Sequence, residues 1–284
     1  MHPSSLTWGV LQERITTTSY PAPGTSLLTT TTERWTYPIV LNTIQSLFAF
    51  LTGYCYLRLS NRHSSSIPAI IPTTTLLPSL LLIAITSSLA SPFGYASLQH
   101  IDYLTFILAK SCKLLPVMFL HLTIFRRRYP VYKYAVVALV TTGVAIFTLH
   151  HPRTTRQSTT TTLDRNPTWG LMLLGVNLLF DGLTNSTQDY IFDRWRPYSG
   201  PQMMCAQNAM TTILTGIYLT LAPSLVALAP GWADDWIGVL GSAQGELREA
   251  LAFIARHPAV GRDVILFGFF GAVGQVFICK CFPL

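Results

Sequence analysis

Long apolar runs separated by short polar connectors recur along this chain, at Tyr37–Leu57, Leu76–Leu98, Tyr103–Phe125, Val131–Leu149, Gly170–Tyr190, Met203–Leu225 and Val264–Cys279. Each comes near the roughly 20 residues that a helix needs to cross the hydrocarbon of a bilayer. A half-length apolar stretch, Leu6–Leu11, precedes them and counts as the first span. The Thr/Ser/Pro-rich connector from there to about Tyr37 reads as a solvated loop. The Thr-rich stretch His151–Thr162, with Asp164, Arg165, Asn166 and Pro167 behind it, reads as a linker between two halves. Between Gly231 and Arg262 the chain is more polar. There Leu240, Leu247, Leu251 and Ile254 lie on one side of a helix with Glu246, Arg248 and Glu249 on the other, the pattern of an amphipathic helix on a membrane surface.

Composition supports the same picture. Half the residues are hydrophobic and 11% are charged, against about 25% charged in soluble domains. The expected class is an all-α membrane protein whose surrounding partner is a lipid bilayer. The net charge of +7 comes mainly from arginines in short connectors, such as Arg126, Arg127 and Arg128. Basic loops orient membrane proteins, so the loops carrying Arg58 and Arg62, the Arg126–Arg128 triplet, and Arg194 and Arg196 are expected on the cytosolic side. Arg153, Arg156 and Arg165 fall on the opposite side and run against that rule. Nucleic acid is not an expected partner, because no aromatics are interleaved with the basic residues.

The N-terminus lacks the features of a secretory signal. The five cysteines have no metal-ligand spacing, so neither metal nor cofactor is expected. No nucleophile, base and orienting group stand at hydrolase-like spacing, and the chain is not expected to be an enzyme. An intramembrane enzyme acting on a lipid-linked phosphate would need an acid/base or metal cluster, for which Asp181 is the one obvious acidic residue.

Within this apolar background Lys110 and Lys113 stand out, two of four lysines in the chain, both in the middle of a span. An ammonium at the bilayer centre costs roughly 2.5–3.5 kcal/mol. Such a pair implies a water-filled cavity, a partner charge or an anionic ligand. A spacing of three puts both on one helical face, and Pro116, which cannot donate to the carbonyl of Cys112, is expected to kink the helix there. Asp181, Asn185 and Gln188 form a second polar stripe at offsets of four and seven. Asp181 either lines a pathway or neutralises the lysines; it and Glu13 are the candidate charge-partner or pathway residues. Asn185, Ser186 and Thr187 match a glycosylation acceptor but lie inside a span, where Asn185 fits interhelical hydrogen bonding better. Gly268, Gly271 and Gly274 read as a helix-packing groove, with Gln275 beside them as a candidate cavity residue. His121, within a span, reads as a packing residue.

Several of these segments carry a family likeness. Leu11-Gln-Glu-Arg-Ile-Thr, Tyr95-Ala-Ser-Leu-Gln with Asp102 and Tyr103, Ala109-Lys-Ser-Cys-Lys with Pro116-Val-Met, Asp181-Gly-Leu-Thr-Asn with Gln188 and Asp189, and Gly271-Ala-Val-Gly-Gln occur in order across nearly the whole chain. Together they resemble the endoplasmic-reticulum nucleotide-sugar transporter family of the drug/metabolite transporter superfamily. The resemblance implies inverted five-helix repeats, here about seven to eight of ten helices. It assigns 1–150 to the first repeat, 151–168 to a linker and 169–284 to the second repeat.

The resemblance also implies antiport of UDP-galactose or UDP-glucose into the endoplasmic reticulum lumen, with ATP/ADP exchange as the alternative. Lys110, Lys113, Gln275, Asn185 and Gln188 would be the substrate-binding residues for a nucleotide sugar or nucleotide. The family pattern extends beyond this chain at both ends and includes a later basic element. A truncated, poorly transporting form is therefore also expected.

Overall fold

The computed structural model describes residues 3–21, 32–60, 69–123, 130–150, 167–228 and 245–281. Its helices are α1 (Pro3–Thr17), α2 (Pro38–Ser60), α3 (Leu77–His100), α4 (Tyr103–Ser111), α5 (Leu114–Thr123), α6 (Val131–His150), α7 (Pro167–Arg194), α8 (Gly200–Leu228), α9 (Glu246–Arg256) and α10 (Pro258–Cys281). The protein is an all-α membrane protein. Several helices begin on a proline, where a missing N–H costs nothing because the first turn has no intrahelical acceptor. That is why α7 and α10 start ahead of the apolar runs at Gly170 and Val264. The Pro38–Ser60, Thr74–Leu98 and Pro258–Cys279 segments are long and apolar enough to cross a membrane.

Apolar side chains lie outside as well as inside these helices. Ile213, Ile217 and Leu221, each four residues apart, form an exposed stripe on α8, and Leu139 on α6 is 76% exposed. In water such stripes would be a liability. In hydrocarbon they are the solvent-facing surface, and a helix closes the backbone hydrogen bonds of its interior within itself.

Contacts divide the chain into two compact units. The first comprises Met1–Ser88 and Tyr190–Leu284. In it α2 packs along α8 and α10, and α1 along α10. Trp8 stacks on Phe267 at 5.4 Å, and Arg14 Nε pairs with the buried Asp263 carboxylate at 3.1 Å. Gly268 lies against Phe48 and Ile44, and Gly271 against Trp8 and Gln45, so these glycines are helix-packing positions. A second core joins Leu76, Leu80 and Ile83 to Ile191, Tyr198 and Met203.

The described ends of the connector after α1 pair with each other and are not a solvated loop. Ser19–Pro21 (β1) pairs antiparallel with Thr32–Arg34 (β2), Tyr20 opposite Glu33. The cause is aromatic burial: Trp35 and Tyr37 lie edge-on to Phe253 of α9 at 5.8 and 6.1 Å, and Tyr20 packs on the same ring at 5.9 Å.

The helix expected around Glu246–Ile254 forms, but its faces differ from the sequence reading. Glu246, Ala250 and Phe253 are buried, whereas Leu251 is exposed. The aromatic cluster selects the face that α9 buries, which side-chain hydropathy alone did not. Leu240 lies outside the described residues.

The second unit, Leu89–Asp189, holds the largest departure. The expected span Tyr103–Phe125 is two helices, α4 and α5, separated by a turn at Cys112 and Lys113. Pro116 is the cause, though not as a kink within a continuous helix. It sits in the first turn of α5, where its ring is tolerated, and the Cys112 carbonyl it cannot reach accepts instead from Leu115 N–H at 2.9 Å. Cys112 N–H and Lys113 N–H likewise donate three residues back, to Ala109 and Lys110 carbonyls. In this unit α6 packs on α4 and α5.

Also in this unit, a Cβ on Gly170 of α7 would meet His100 Cβ at 2.7 Å and Ile101 Cγ2 at 2.9 Å. These atoms sit on or beside the backbone and have little room to yield. Gly170→Ala is therefore expected to lower stability by about 1–2 kcal/mol, overpacking outweighing the roughly 1 kcal/mol gain in helix propensity. Thermal unfolding in detergent checks this, and an unchanged or raised midpoint would contradict it.

Candidate functional site

The break between α4 and α5 sets the two lysines apart. Lys110, in the last turn of α4, is half-buried, with its Nζ 4.7 Å from the centre of the Phe106 ring. Lys113, in the turn itself, is exposed. The expectation that both project from one helical face is thus corrected, because helical geometry stops at Ser111. A cation over an aromatic face gains up to about 2 kcal/mol when desolvated, so Phe106 compensates part of the cost of keeping Lys110 out of water.

What places α7 near this turn is a small apolar core. Ile101, Phe106 and Leu174 are buried together, with Leu98, Tyr103, Ala109 and Leu178 packed around them. Leu174, Leu178 and Asp181 follow one another at offsets of four and three along α7. Packing of the first two against α4 therefore brings the third toward the lysines. Asp181 is half-buried and interacts electrostatically with both Lys110 and Lys113. Among the described residues it makes no direct ion pair with either. The carboxylate and the two ammonium groups lie within electrostatic reach of one another.

Asn185 and Gln188 continue the stripe, both half-buried, while Ser186 and Thr187 are buried. Thr184 and Thr187 hydroxyls donate to the carbonyls of Phe180 and Leu183 at 3.0 and 2.8 Å, satisfying themselves within the helix. One residue of this stripe was missed in the sequence. Asn177, a turn before Asp181, is buried and donates through Nδ2 to the Ala90 carbonyl of α3 at 2.6 Å. Its offset of four from Asp181 was the available signal.

Gln275 and Glu13 belong to the other compact unit. Gln275, half-buried on α10, accepts through Oε1 from Asn208 Nδ2 of α8 at 3.2 Å; the same nitrogen donates to the Met204 carbonyl at 2.7 Å. Asn208 was also missed, although a buried amide in the apolar run Met203–Leu225 is the kind of residue that joins membrane helices. Glu13 is exposed on α1. The side chain of His121, the arginine triplet Arg126–Arg128 and the Thr-rich stretch 151–166 lie outside the described residues. Cys55, Cys112, Cys205 and Cys279 are free thiols.

Apolar helices with lipid-facing stripes, a broken span carrying two lysines and a polar helix face beside it define a polytopic membrane transporter. The chain belongs to the UAA transporter family, whose sequence profile matches residues 5–224. It is 54% identical over 286 residues to the UDP-galactose transporter homolog 1 of Emericella nidulans, covering 98% of this chain and 68% of that protein. The proteins of the same name from Aspergillus fumigatus and Schizosaccharomyces pombe are 53% and 36% identical. They cover 98% and 97% of this chain, and 69% and 73% of their own lengths.

The hydrogen bond between Asn208 and Gln275 gives a direct prediction. Single changes Asn208→Ala and Gln275→Ala and the double change should show a coupling of about 0.6 kcal/mol, typical of polar pairs between membrane helices. Thermal or denaturant unfolding of the four proteins measures it. Strict additivity would mean the amides do not hold α8 to α10.

Proposed function

We propose that this chain carries nucleotide sugars of the UDP-galactose or UDP-glucose kind into the lumen of the endoplasmic reticulum, in exchange for a nucleotide. The observation that carries this reading is the lysine pair at a helix break, flanked by an aromatic ring and a carboxylate it does not directly pair with. Broken helices at membrane depth are where transporters build polar sites, since irregular backbone is tolerated only where it lines a cavity or is covered by protein. Lysine suits phosphate as a compact point charge with three donors. Family membership and the names of the relatives support a phosphate-bearing cargo.

In the mechanism we infer, Lys110 and Lys113 bind the diphosphate, and Asp181 partly neutralises them when no cargo is present. Asn185 and Gln188 supply hydrogen bonds to the uncharged parts of the ligand. The halves 1–150 and 169–284 act as inverted repeats that rock to give alternating access. No bond is made or broken in the cargo. Anionic ligand and Asp181 compete for the same positive charge, so binding loosens the internal interaction and the empty site restores it. That exchange of partners favours antiport, because the return of a site without anion requires the lysines to rely on Asp181 alone.

The full chain, purified in detergent and titrated with UDP-galactose, UDP-glucose, UMP and ATP, tests the reading by ligand-induced thermal stabilisation. UDP-sugars should stabilise it, and Lys110→Ala and Lys113→Ala should each weaken binding by roughly tenfold to hundredfold, the worth of a charged hydrogen bond. Stabilisation by ATP alone would point to adenine-nucleotide exchange. Binding unaffected by either lysine change would overturn the site, and uptake into proteoliposomes with matched exchange substrate tests the antiport.

A further inference from the structure

At the start of α9, far from the lysines in sequence, a carboxyl group is buried at the end of another helix. Glu246 is 4% exposed. Its Oε1 accepts from the N–H groups of Ile39 at 2.9 Å and Val40 at 3.3 Å. These are donors in the first turn of α2, which have no acceptor inside their own helix. Gly245 delivers the side chain there by adopting φ +107°, a left-handed conformation open to glycine. The second oxygen, Oε2, is buried with no hydrogen-bond partner among the described residues.

The arrangement has two opposing electrostatic effects. A helix N-terminus and two donors favour the ionised form. Burial with one oxygen unpaired disfavours it. Other ionisable or charged groups nearby are Glu249 and Arg256 from α9, Tyr37 before α2, Tyr218 from α8 and Glu33 from β2. His257 at the α9–α10 junction packs against Phe253 and Tyr20, and the Arg14–Asp263 pair follows on α10. Arg256 pairs with Glu33 at 2.9 Å, so that cation is already engaged. No arginine or lysine pairs with Glu246 among the described residues.

We propose that Glu246 is a proton-controlled latch between α9 and the first turn of α2, closed when the carboxyl is neutral and loosened when it ionises. Both states can accept the two N–H bonds through Oε1, but only the ionised one places a net charge in a buried site without a counter-cation. Burial accordingly pushes this carboxyl from its ordinary value of 4.5 up to about 7, with the Val40 and Ile39 N–H groups pulling it down and Glu249 pushing it further up. A group whose proton is held more tightly in the folded chain stabilises the fold below its ordinary value. That contribution is lost as pH rises through about 7. A small pH change on the side of the membrane where α9 lies would thus alter how firmly α2 is anchored.

Thermal unfolding of the full chain in detergent from about pH 5.5 to about pH 8.5, bracketing the value near 7, tests the latch. The unaltered protein should lose about 5 °C of midpoint over this range relative to Glu246→Gln, which retains the acceptor oxygen but cannot ionise. Glu246→Ala should be less stable throughout and follow the pH profile of Glu246→Gln. His257 and the other titrating groups are present in all three proteins, so the difference between profiles belongs to Glu246. Hydrogen exchange of the peptide carrying Ile39 and Val40, corrected for intrinsic pH dependence, should accelerate as pH rises from about 5.5 to about 7 and level off above it, in the unaltered protein only. Parallel profiles for the unaltered protein and Glu246→Gln, or exchange at Ile39 and Val40 indifferent to the substitution, would overturn the proposal.

Discussion

Every backbone polar group at membrane depth needs a partner from the protein itself, and this constraint governs how the chain accommodates its lysines. A proline in the middle of an apolar run removes one donor and leaves the carbonyl of Cys112 without its usual partner. The chain answers by shortening the hydrogen bonds locally to a three-residue step, so that Leu115 N–H takes over that carbonyl. The outcome is a closed turn between two helices. Lys110 precedes that turn and Lys113 lies in it, because the residues that would have continued the helix are the ones that tighten it.

Around this turn the chain uses apolar contacts to position polar groups. Phe106 serves two purposes: it joins Ile101 and Leu174 in the core of the unit, and its ring lies against the Lys110 ammonium. Leu174 and Leu178 set the rotation of α7, and that rotation turns Asp181 toward the same region. Asn177, hydrogen-bonded to Ala90, fixes α7 against α3 from the next turn of the stripe. The polar residues are therefore held by helices whose orientation is decided elsewhere, leaving their charges available.

Much of the helical architecture was legible in the sequence, because lipid imposes length and apolarity on each crossing segment. The runs from Tyr37 to Cys279 recur as α2 to α8 and α10 with shifts of a few residues, those at α7 and α10 caused by prolines that open the helix before its apolar stretch begins. The class and family were legible for the same reason, together with the ordered short motifs. What the sequence did not reveal depends on contacts between distant segments. The aromatic cluster of Tyr20, Trp35, Tyr37 and Phe253 orders the ends of a Thr-rich connector and chooses which face α9 buries. Neither effect has a local periodicity. Lys110 and Lys113 were visible as a pair, but their separation into a half-buried and an exposed position follows from which carbonyl Leu115 reaches.

The cap on α2 has a consequence for the order in which the protein is made. The amides of Ile39 and Val40 are completed by a side chain 207 and 206 residues later in the sequence. A growing chain exposes the start of α2 long before Glu246 has left the ribosome. Until then those two donors depend on water or on whatever assists insertion. Completion of this early helix therefore waits for the arrival of α9.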